Sequence, residues 1–116
     1  MLREQSVAFL KRLLDTPGPS GFETAPARVW REEARTFAQV RGDASGNSYA
    51  EVVGTAGAGS PTIMLAGHID EIGVIVTYVD DEGYVYIGPI GGWDPQVLVG
   101  QRLRFQARGG DVYGVV

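Results

Sequence analysis

The segment Thr62-Ile63-Met64-Leu65-Ala66 decides the expected fold class, because it is apolar without the alternation of a strand that has one face in water. Uninterrupted apolar runs of this length are typical of strands buried on both faces of an α/β sheet. The stretch Gly67-His68-Ile69-Asp70-Glu71-Ile72-Gly73 follows at its carboxyl end. Because open α/β sheets bind their ligands at the carboxyl ends of strands, the sequence predicts a functional site there.

His68 is the only histidine in the 116 residues, and it stands two residues before Asp70. Alternate residues of a strand share one face, so a strand would deliver an imidazole together with a carboxylate that can orient it toward a metal ion. A hydrogen-bonded histidine near a strand end is the structural alternative, and the spacing leaves both open. One histidine cannot hold a metal by itself, so any other ligands must come from elsewhere.

The adjacent carboxylates Asp70 and Glu71 raise a further possibility, a paired-carboxylate glycosidase. Neighbouring residues of a strand point to opposite faces, so these two carboxyl groups are not expected to converge on one bond. The acidic segment Asp80-Asp81-Glu82 lacks the spaced ligands of an EF-hand. We therefore expect this segment to be a solvated hairpin turn rather than a calcium site.

Two amphipathic helices are predicted in the first third of the chain. Apolar residues recur at helical spacing over 2–15, before the helix-breaking loop Pro17-Gly18-Pro19-Ser20-Gly21. We expect this loop to need no role beyond turn and cap chemistry. The second helix is expected to be capped by Ser20, or by Thr24, which would put Pro26 in its first turn. Its buried face is predicted to carry Trp30, Ala34 and Phe37.

From Val40 onward the pattern is that of short strands and turns. Three connections separate these strands: the turn Asp43–Asn47, a flexible segment over 54–61 without the lysine of a phosphate-binding loop, and a loop over 88–95. After Asp70 the character of the chain changes to all-β. Besides 62–66, strands are expected over 48–53, 72–79, 84–87, 102–105 and 112–116.

The composition limits the class of protein. Ten basic and fourteen acidic residues give a net charge of −4, and the basic residues are scattered, which argues against nucleic-acid binding. No cysteine is present, so disulfides, thiolate metal sites and cysteine nucleophiles are excluded. No apolar stretch approaches the ~18 residues of a membrane span, and Lys11 and Arg12 interrupt any signal-peptide core. We expect a cytoplasmic protein without a membrane partner.

Four segments of the chain belong together by their order and spacing. They are Pro17-Gly18-Pro19-Ser20-Gly21-Phe22-Glu23, Asp43 to Asn47, Gly67-His68-Ile69-Asp70-Glu71-Ile72-Gly73 and Pro89-Ile90-Gly91-Gly92-Trp93-Asp94-Pro95. In this order and spacing they resemble the M42 family of metallo-aminopeptidases, which includes glutamyl aminopeptidases and tetrahedral aminopeptidases. Some members of this family carry an old cellulase or endoglucanase label. The likeness covers essentially all 116 residues.

The resemblance implies an α/β catalytic domain that is interrupted by a β-rich, PDZ-like dimerisation domain. Residues 1–70 would be the N-terminal part of the catalytic domain. Residues 71–116 would be the first half of the inserted domain, truncated where the chain stops inside an apolar strand. The implied partners are peptide substrates and further copies of the chain, in dimers or in a dodecamer.

The resemblance also implies roles for the two residues singled out above. His68 would be a ligand to one ion of a two-metal centre, usually of zinc or cobalt, and Asp70 would orient His68. The family's general-base glutamate, its further carboxylate ligands and its second histidine would lie beyond residue 116. Because zinc catalysis needs about three protein ligands and an open water position, the 116-residue chain alone is expected to be inactive.

Two alternatives to a peptidase segment remain from other classes. A non-enzymatic assembly module would use unpaired strand edges and the aromatic residues Tyr84, Tyr86 and Phe105 to contact a partner. A glycan hydrolase is suggested by the old endoglucanase label, and the divergent geometry expected for Asp70 and Glu71 speaks against it.

Overall fold

A computed structural model describes residues 3–57 and 59–116 of the chain. Leu2, at which the first helix was predicted to begin, and Ala58 of the predicted flexible segment lie outside the described residues. The fold is mixed α/β and divides into two compact units, of which the first ends at Gly73. Within the described part of the chain, no helix is long and apolar enough to cross a membrane.

Two helices and a hairpin make up the first unit. The second helix, α2, contacts the first helix, α1, and both strands of the hairpin, so the small core of this unit lies along α2. Its buried residues are Pro26, Ala27 and Ala34. The elements are α1 (Glu4–Leu14), α2 (Thr24–Ala34) and the antiparallel strands β1 (Gln39–Gly42) and β2 (Ser48–Glu51).

The second unit, Val74–Val116, is built from paired strands. The turn between its first two strands forms as predicted, because the Asp80 carboxylate accepts hydrogen bonds from the backbone N–H groups of Glu82 and Tyr84 at 3.1 and 2.8 Å. The pairs are β3 (Gly73–Val79) with β4 (Val85–Ile90) and β5 (Arg102–Ala107) with β6 (Gly110–Val115), and a 3₁₀-helix (Pro95–Leu98) lies between them.

Several predicted boundaries are wrong by a few residues. β4 continues to Ile90, so the first part of the loop predicted over 88–95 is strand. The strand predicted over 48–53 ends at Glu51, and Val52 and Val53 are exposed. Strand ends are set by which backbone groups find partners, and that information is absent from a local sequence pattern.

The second helix begins at Thr24, with Glu23 in the N-cap position and no side-chain cap. The prediction that Ser20 caps this helix is therefore wrong, and Thr24 is the first helical residue rather than the cap. Pro26 lies in the first turn, where its missing N–H has no intrahelical partner to lose. Of the predicted buried face, Ala34 is buried and Trp30 is half-buried, but Phe37 lies beyond the helix and is exposed.

The strand predicted over 62–66 does not form. Ile63 and Leu65 are 84% and 94% exposed, and no backbone hydrogen bond pairs this segment with a described neighbour. An apolar strand of a parallel sheet is stable only when strands on both sides accept and donate its ladder bonds and helices cover its faces. The described residues supply neither partner strands nor covering helices for 62–66. The apolar pattern is therefore present without the sheet that it predicts.

The turn Asp43–Asn47 forms as predicted and closes the β1–β2 hairpin. One oxygen of the Asp43 carboxylate accepts hydrogen bonds from the backbone N–H groups of Ser45 and Asn47, at 3.0 and 2.9 Å. The other accepts from the Asn47 amide and from the Tyr49 hydroxyl, at 2.9 and 3.0 Å. The hydrogen bond from the Asn47 side chain is the main cause that lowers the pKa of Asp43. The Tyr49 pKa is raised, first by its hydrogen bond to Asp43 and then by the charge of Asp43.

Replacing Asp43 with asparagine is expected to bring the Tyr49 pKa down toward its ordinary value of 10.0, because a neutral amide accepts the bond less strongly and carries no charge. In the unmodified chain, the hydrogen bond from the Tyr49 hydroxyl to Asp43 stabilises the hairpin at pH values below the unfolded-state pKa of Tyr49. This stabilisation is lost as the pH rises through the higher folded-state pKa. The lowered pKa of Asp43 acts at the acid end. The ionised Asp43 carboxylate stabilises the hairpin at pH values above its ordinary pKa of 3.8, and this stabilisation is lost as the pH falls through the lower folded-state pKa.

Titration of the tyrosine rings followed by NMR measures this shift. Asp111→Asn is the matched control, because it removes a carboxylate that faces Arg104 in the second unit. The control should leave the Tyr49 pKa unchanged. An equal Tyr49 pKa in the Asp43→Asn variant and the unmodified chain would contradict the assigned hydrogen bond.

Candidate functional site

The sequence-predicted pair His68 and Asp70 is brought together in the structure, although not on a strand. The Nδ1 atom of His68 lies 3.0 Å from Oδ1 of Asp70 and 3.2 Å from the Asp70 carbonyl oxygen. Because an ionised carboxylate only accepts, Nδ1 donates to Asp70, and in the neutral imidazole the lone pair then lies on Nε2. The His68 side chain is 86% exposed and the Asp70 side chain 37% exposed, so the imidazole can be reached from solvent.

Asp70 is itself held by a second hydrogen bond. Its Oδ2 atom accepts from the hydroxyl of Ser20 at 2.5 Å, across 50 positions of sequence. The Ser20 hydrogen bond, followed by the hydrogen bond from His68, holds the pKa of Asp70 below its ordinary value. Asp70 is therefore a carboxylate that accepts one bond on each oxygen, with His68 on one side and Ser20 on the other.

Glu71 fastens the Pro17–Gly21 loop to this segment. Its backbone N–H donates to the Gly18 carbonyl at 3.0 Å, and its carbonyl accepts from the Ser20 N–H at 3.3 Å, as in a parallel bridge between Pro19 and Glu71. The Glu71 carboxylate also accepts from the Gly18 N–H at 2.8 Å. The prediction that this loop needs only turn and cap chemistry is wrong, because the loop docks on the residues that follow His68.

The neighbouring carboxylates of Asp70 and Glu71 have different partners. Asp70 faces His68 and Ser20, whereas Glu71 faces the backbone of Gly18. The two groups are therefore engaged separately and do not form an acid–base pair about one bond, as the sequence analysis expected. The paired-carboxylate interpretation has no support in this geometry.

His68, with Asp70 beside it, has the geometry of a metal ligand, but the two residues alone do not make a metal site. An imidazole whose Nδ1 is bonded to a carboxylate and whose Nε2 is accessible is the arrangement found in metal-ligating histidines. Across residues 3–57 and 59–116, however, no three histidine, cysteine, aspartate or glutamate side chains converge as a metal site would require. His68 can therefore supply one imidazole ligand, whereas a zinc site takes about three protein ligands or more.

Ser20 is the site residue that the sequence analysis missed. Its spacing to Glu23 predicts a cap at the start of α2. The contact with Asp70 spans 50 positions, so no periodicity or capping rule could predict it. The one sequence feature that points to this contact is that the Pro17–Glu23 and Gly67–Gly73 segments belong to the same set of co-linear motifs.

A family profile described as M42 glutamyl aminopeptidase matches residues 46–116, which is more than half of the chain. The chain belongs to the M42 family. This confirms the resemblance stated from the motifs. Among curated M42-like relatives, the lysyl aminopeptidase of Pyrococcus furiosus is 36% identical over 112 residues, which cover 92% of this chain and 30% of that protein. The glutamyl aminopeptidase of Lactococcus lactis subsp. cremoris is 40% identical over 57 residues, covering 49% of this chain and 16% of the relative.

Solved structures of aminopeptidases share the fold of this M42 chain. A TET aminopeptidase from a marine sediment archaeon of the Thaumarchaeota superposes with a TM-score of 0.88 at 35% identity, covering 97% of this chain and 31% of the other. The TET1 peptidase of Pyrococcus horikoshii, which can assemble into a tetrahedron or a large octahedral shell, gives 0.79 at 32% identity, covering 94% and 32%. The chain thus spans about a third of the length of these M42-type relatives.

Proposed function

We propose that residues 1–116 are the N-terminal part of a metal-dependent aminopeptidase that removes residues from the N-termini of peptides. Membership of the M42 family and relatives named as lysyl and glutamyl aminopeptidases support this activity class. The observation that carries the metal assignment is the 3.0 Å contact between Nδ1 of His68 and the Asp70 carboxylate. It leaves Nε2 of an exposed imidazole free to bind an ion.

In the proposed enzyme, His68 contributes one ligand to a two-metal centre and Asp70 orients it. The chemistry that two bound zinc or cobalt ions supply in such a centre is polarisation of the scissile carbonyl and activation of a water molecule. Within this chain, the Asp70 carboxylate accepts the Nδ1 proton of His68 and fixes the orientation of the imidazole ring. The remaining ligands and the general base are assigned to the part of the enzyme that this chain does not contain.

The proposed domain arrangement has residues 1–70 in an α/β catalytic domain and 71–116 in a PDZ-like dimerisation domain. The division into compact units after Gly73 and the all-β content of the second unit support this arrangement. The exposed apolar segment 62–66 also supports it, since a buried strand of a larger sheet would have this composition. In the complete enzyme, strands beyond this chain would pair with the segment on both sides.

Homo-oligomers are the proposed state of the complete enzyme. The similar structures include that of PhTET1-12s, with a dodecamer in the asymmetric unit, and that of a TET1 peptidase that can assemble into a tetrahedron or a large octahedral shell. In this proposal, dimers formed through the β-rich domain are the building block of a dodecamer, with peptides as substrates.

The proposal predicts that the 116-residue chain alone has no peptidase activity when zinc or cobalt is added, because a catalytic zinc site needs about three protein ligands. Release of free amino acids from short peptides measures this. The positive control is a fusion enzyme, in which residues 1–116 are joined to the part of the Pyrococcus furiosus lysyl aminopeptidase that this chain does not match. Robust turnover by the chain alone would contradict the proposed division of the active site.

A non-enzymatic assembly module remains the second candidate, favoured by the exposure of Tyr84 and Tyr86 at 66% and 55% on the second unit. Sedimentation of the chain during a zinc titration separates the two functions. Defined oligomers without metal affinity would favour the module. Metal binding that appears only in the fusion enzyme would favour the peptidase.

A further inference from the structure

We propose that Ser20 is a positioning residue for His68. The Ser20 hydroxyl fixes the Asp70 carboxylate in the orientation that accepts the Nδ1 proton of His68, and so directs the Nε2 lone pair of the neutral ring away from Asp70, where it can bind a metal ion. The proposal deepens the proposed function and rests on it, because Nε2 has to be free only if His68 is a ligand. Its test reads the imidazole of the chain itself and needs neither metal nor activity.

Asp70 has too much freedom to orient His68 unaided. The terminal torsion of an aspartate is broad and roughly two-fold, so a carboxylate held through one oxygen can turn away from its partner. His68 and Asp70 lie outside regular secondary structure, and the imidazole is 86% exposed, so side-chain packing does little to confine the ring of His68. The hydroxyl at 2.5 Å from Oδ2 supplies the missing constraint. Hydrogen bonds from a hydroxyl to a carboxylate are short and strong when they are charge-assisted.

Ser20 is delivered to Asp70 by backbone that is tied to the same segment. The Ser20 N–H donates to the carbonyl of Glu71, and Gly18 exchanges two further bonds with Glu71. The hydroxyl and the carboxylate that it bonds are thus carried by two stretches of backbone that are hydrogen-bonded to each other. A change that separates the Pro17–Gly21 loop from Glu71 would also remove Ser20 from Asp70.

The chain offers a clean probe, because His68 is its only histidine. In a ¹⁵N-labelled sample, the long-range imidazole spectrum contains one spin system and reports which ring nitrogen carries the proton at a pH where the ring is neutral. The unmodified chain should show the proton on Nδ1. In Ser20→Ala, the proton should redistribute toward Nε2, and Ser20→Thr, which keeps a hydroxyl, should restore the Nδ1 form.

Ser60→Ala is the matched control, since it removes a serine hydroxyl that donates to the carbonyl of Gly57. It should leave the tautomer of His68 unchanged. A double substitution tests whether Ser20 acts through Asp70: in an Asp70→Asn background, Ser20→Ala should produce no additional shift. An additional shift of equal size would overturn the proposed route.

Results with the unmodified chain or with the Ser20 variants would overturn the proposal directly. One is a proton on Nε2 in the unmodified chain, which requires no variant and therefore holds even if Ser20→Ala does not fold. The other is an unchanged Nδ1 form in Ser20→Ala with the dispersed amide spectrum of the unmodified chain, or a Ser20→Thr variant that behaves as Ser20→Ala. Failure of the fusion enzyme to hydrolyse peptides would count against the proposed function and would leave the tautomer result standing.

Discussion

Replacing His68 with alanine in the fusion enzyme should lower kcat/KM by more than about 100-fold. Substitution of a residue that only supports a metal ligand typically costs about 10–100-fold in affinity or activity, and removal of the ligand itself should exceed that range. The loss should appear together with a reduced metal content, because His68 is the one imidazole that this chain can contribute. Metal analysis of the purified protein and initial rates with peptide substrates measure the two effects.

Gln5→Ala provides the control for this comparison, because it changes an exposed polar residue on α1 to a good helix former. The control should keep both the metal content and kcat/KM of the fusion enzyme. A His68→Ala enzyme that retains its full metal content and its activity would show that the imidazole is the hydrogen-bonded structural histidine that spacing alone left open.

Replacing Gly18 with alanine should destabilise the chain by about 1–3 kcal/mol, the usual cost of forcing extra carbon into a packed interior. Gly18 is buried, and a Cβ atom added to it would lie 2.4 Å from Cγ of Pro26, which is itself fully buried in the first turn of α2. The proline ring is not the end of a flexible side chain, so backbone has to shift to admit the new methyl group. The free energy of unfolding from urea titration measures the loss.

Gly54→Ala is the matched control for Gly18→Ala, because no atom lies within 4 Å of the Cβ that it adds. It should change the free energy of unfolding little. The double variant Gly18→Ala with Pro26→Ala should recover part of the loss, since alanine at 26 removes the Cγ and Cδ atoms that crowd the new methyl group. Equal stabilities for Gly18→Ala and Gly54→Ala would contradict the packing described for this loop.

Local chemistry allowed much of the fold to be predicted from the sequence. The Asp43–Asn47 turn was predictable because an aspartate that begins a turn bonds the backbone a few residues on, and the structure contains those bonds. The Asp80 turn follows the same chemistry. Helix α1 was predictable from apolar spacing and from the Pro17 loop that ends it. Each of these predictions depends on residues within a few positions of one another.

The sequence-based predictions fail where the local structure depends on residues far away in the chain. The segment 62–66 has the composition of a buried strand, but strand formation needs partner strands that the described residues do not supply. Ser20 has good capping spacing to Glu23, and its hydroxyl instead bonds a carboxylate 50 positions away. The pairing of His68 with Asp70 could be predicted because only two positions separate them, although the strand geometry used to predict it does not form.

Metal-dependent peptide hydrolysis by the fusion enzyme tests the central claim most directly. The account predicts that the fusion enzyme releases N-terminal residues when zinc or cobalt is bound, loses this activity to a chelator, and regains it when metal returns, while residues 1–116 alone remain inactive under the same conditions. A folded, metal-loaded fusion enzyme that releases no N-terminal residue from any peptide would contradict the claim that this chain is the N-terminal part of a metallo-aminopeptidase.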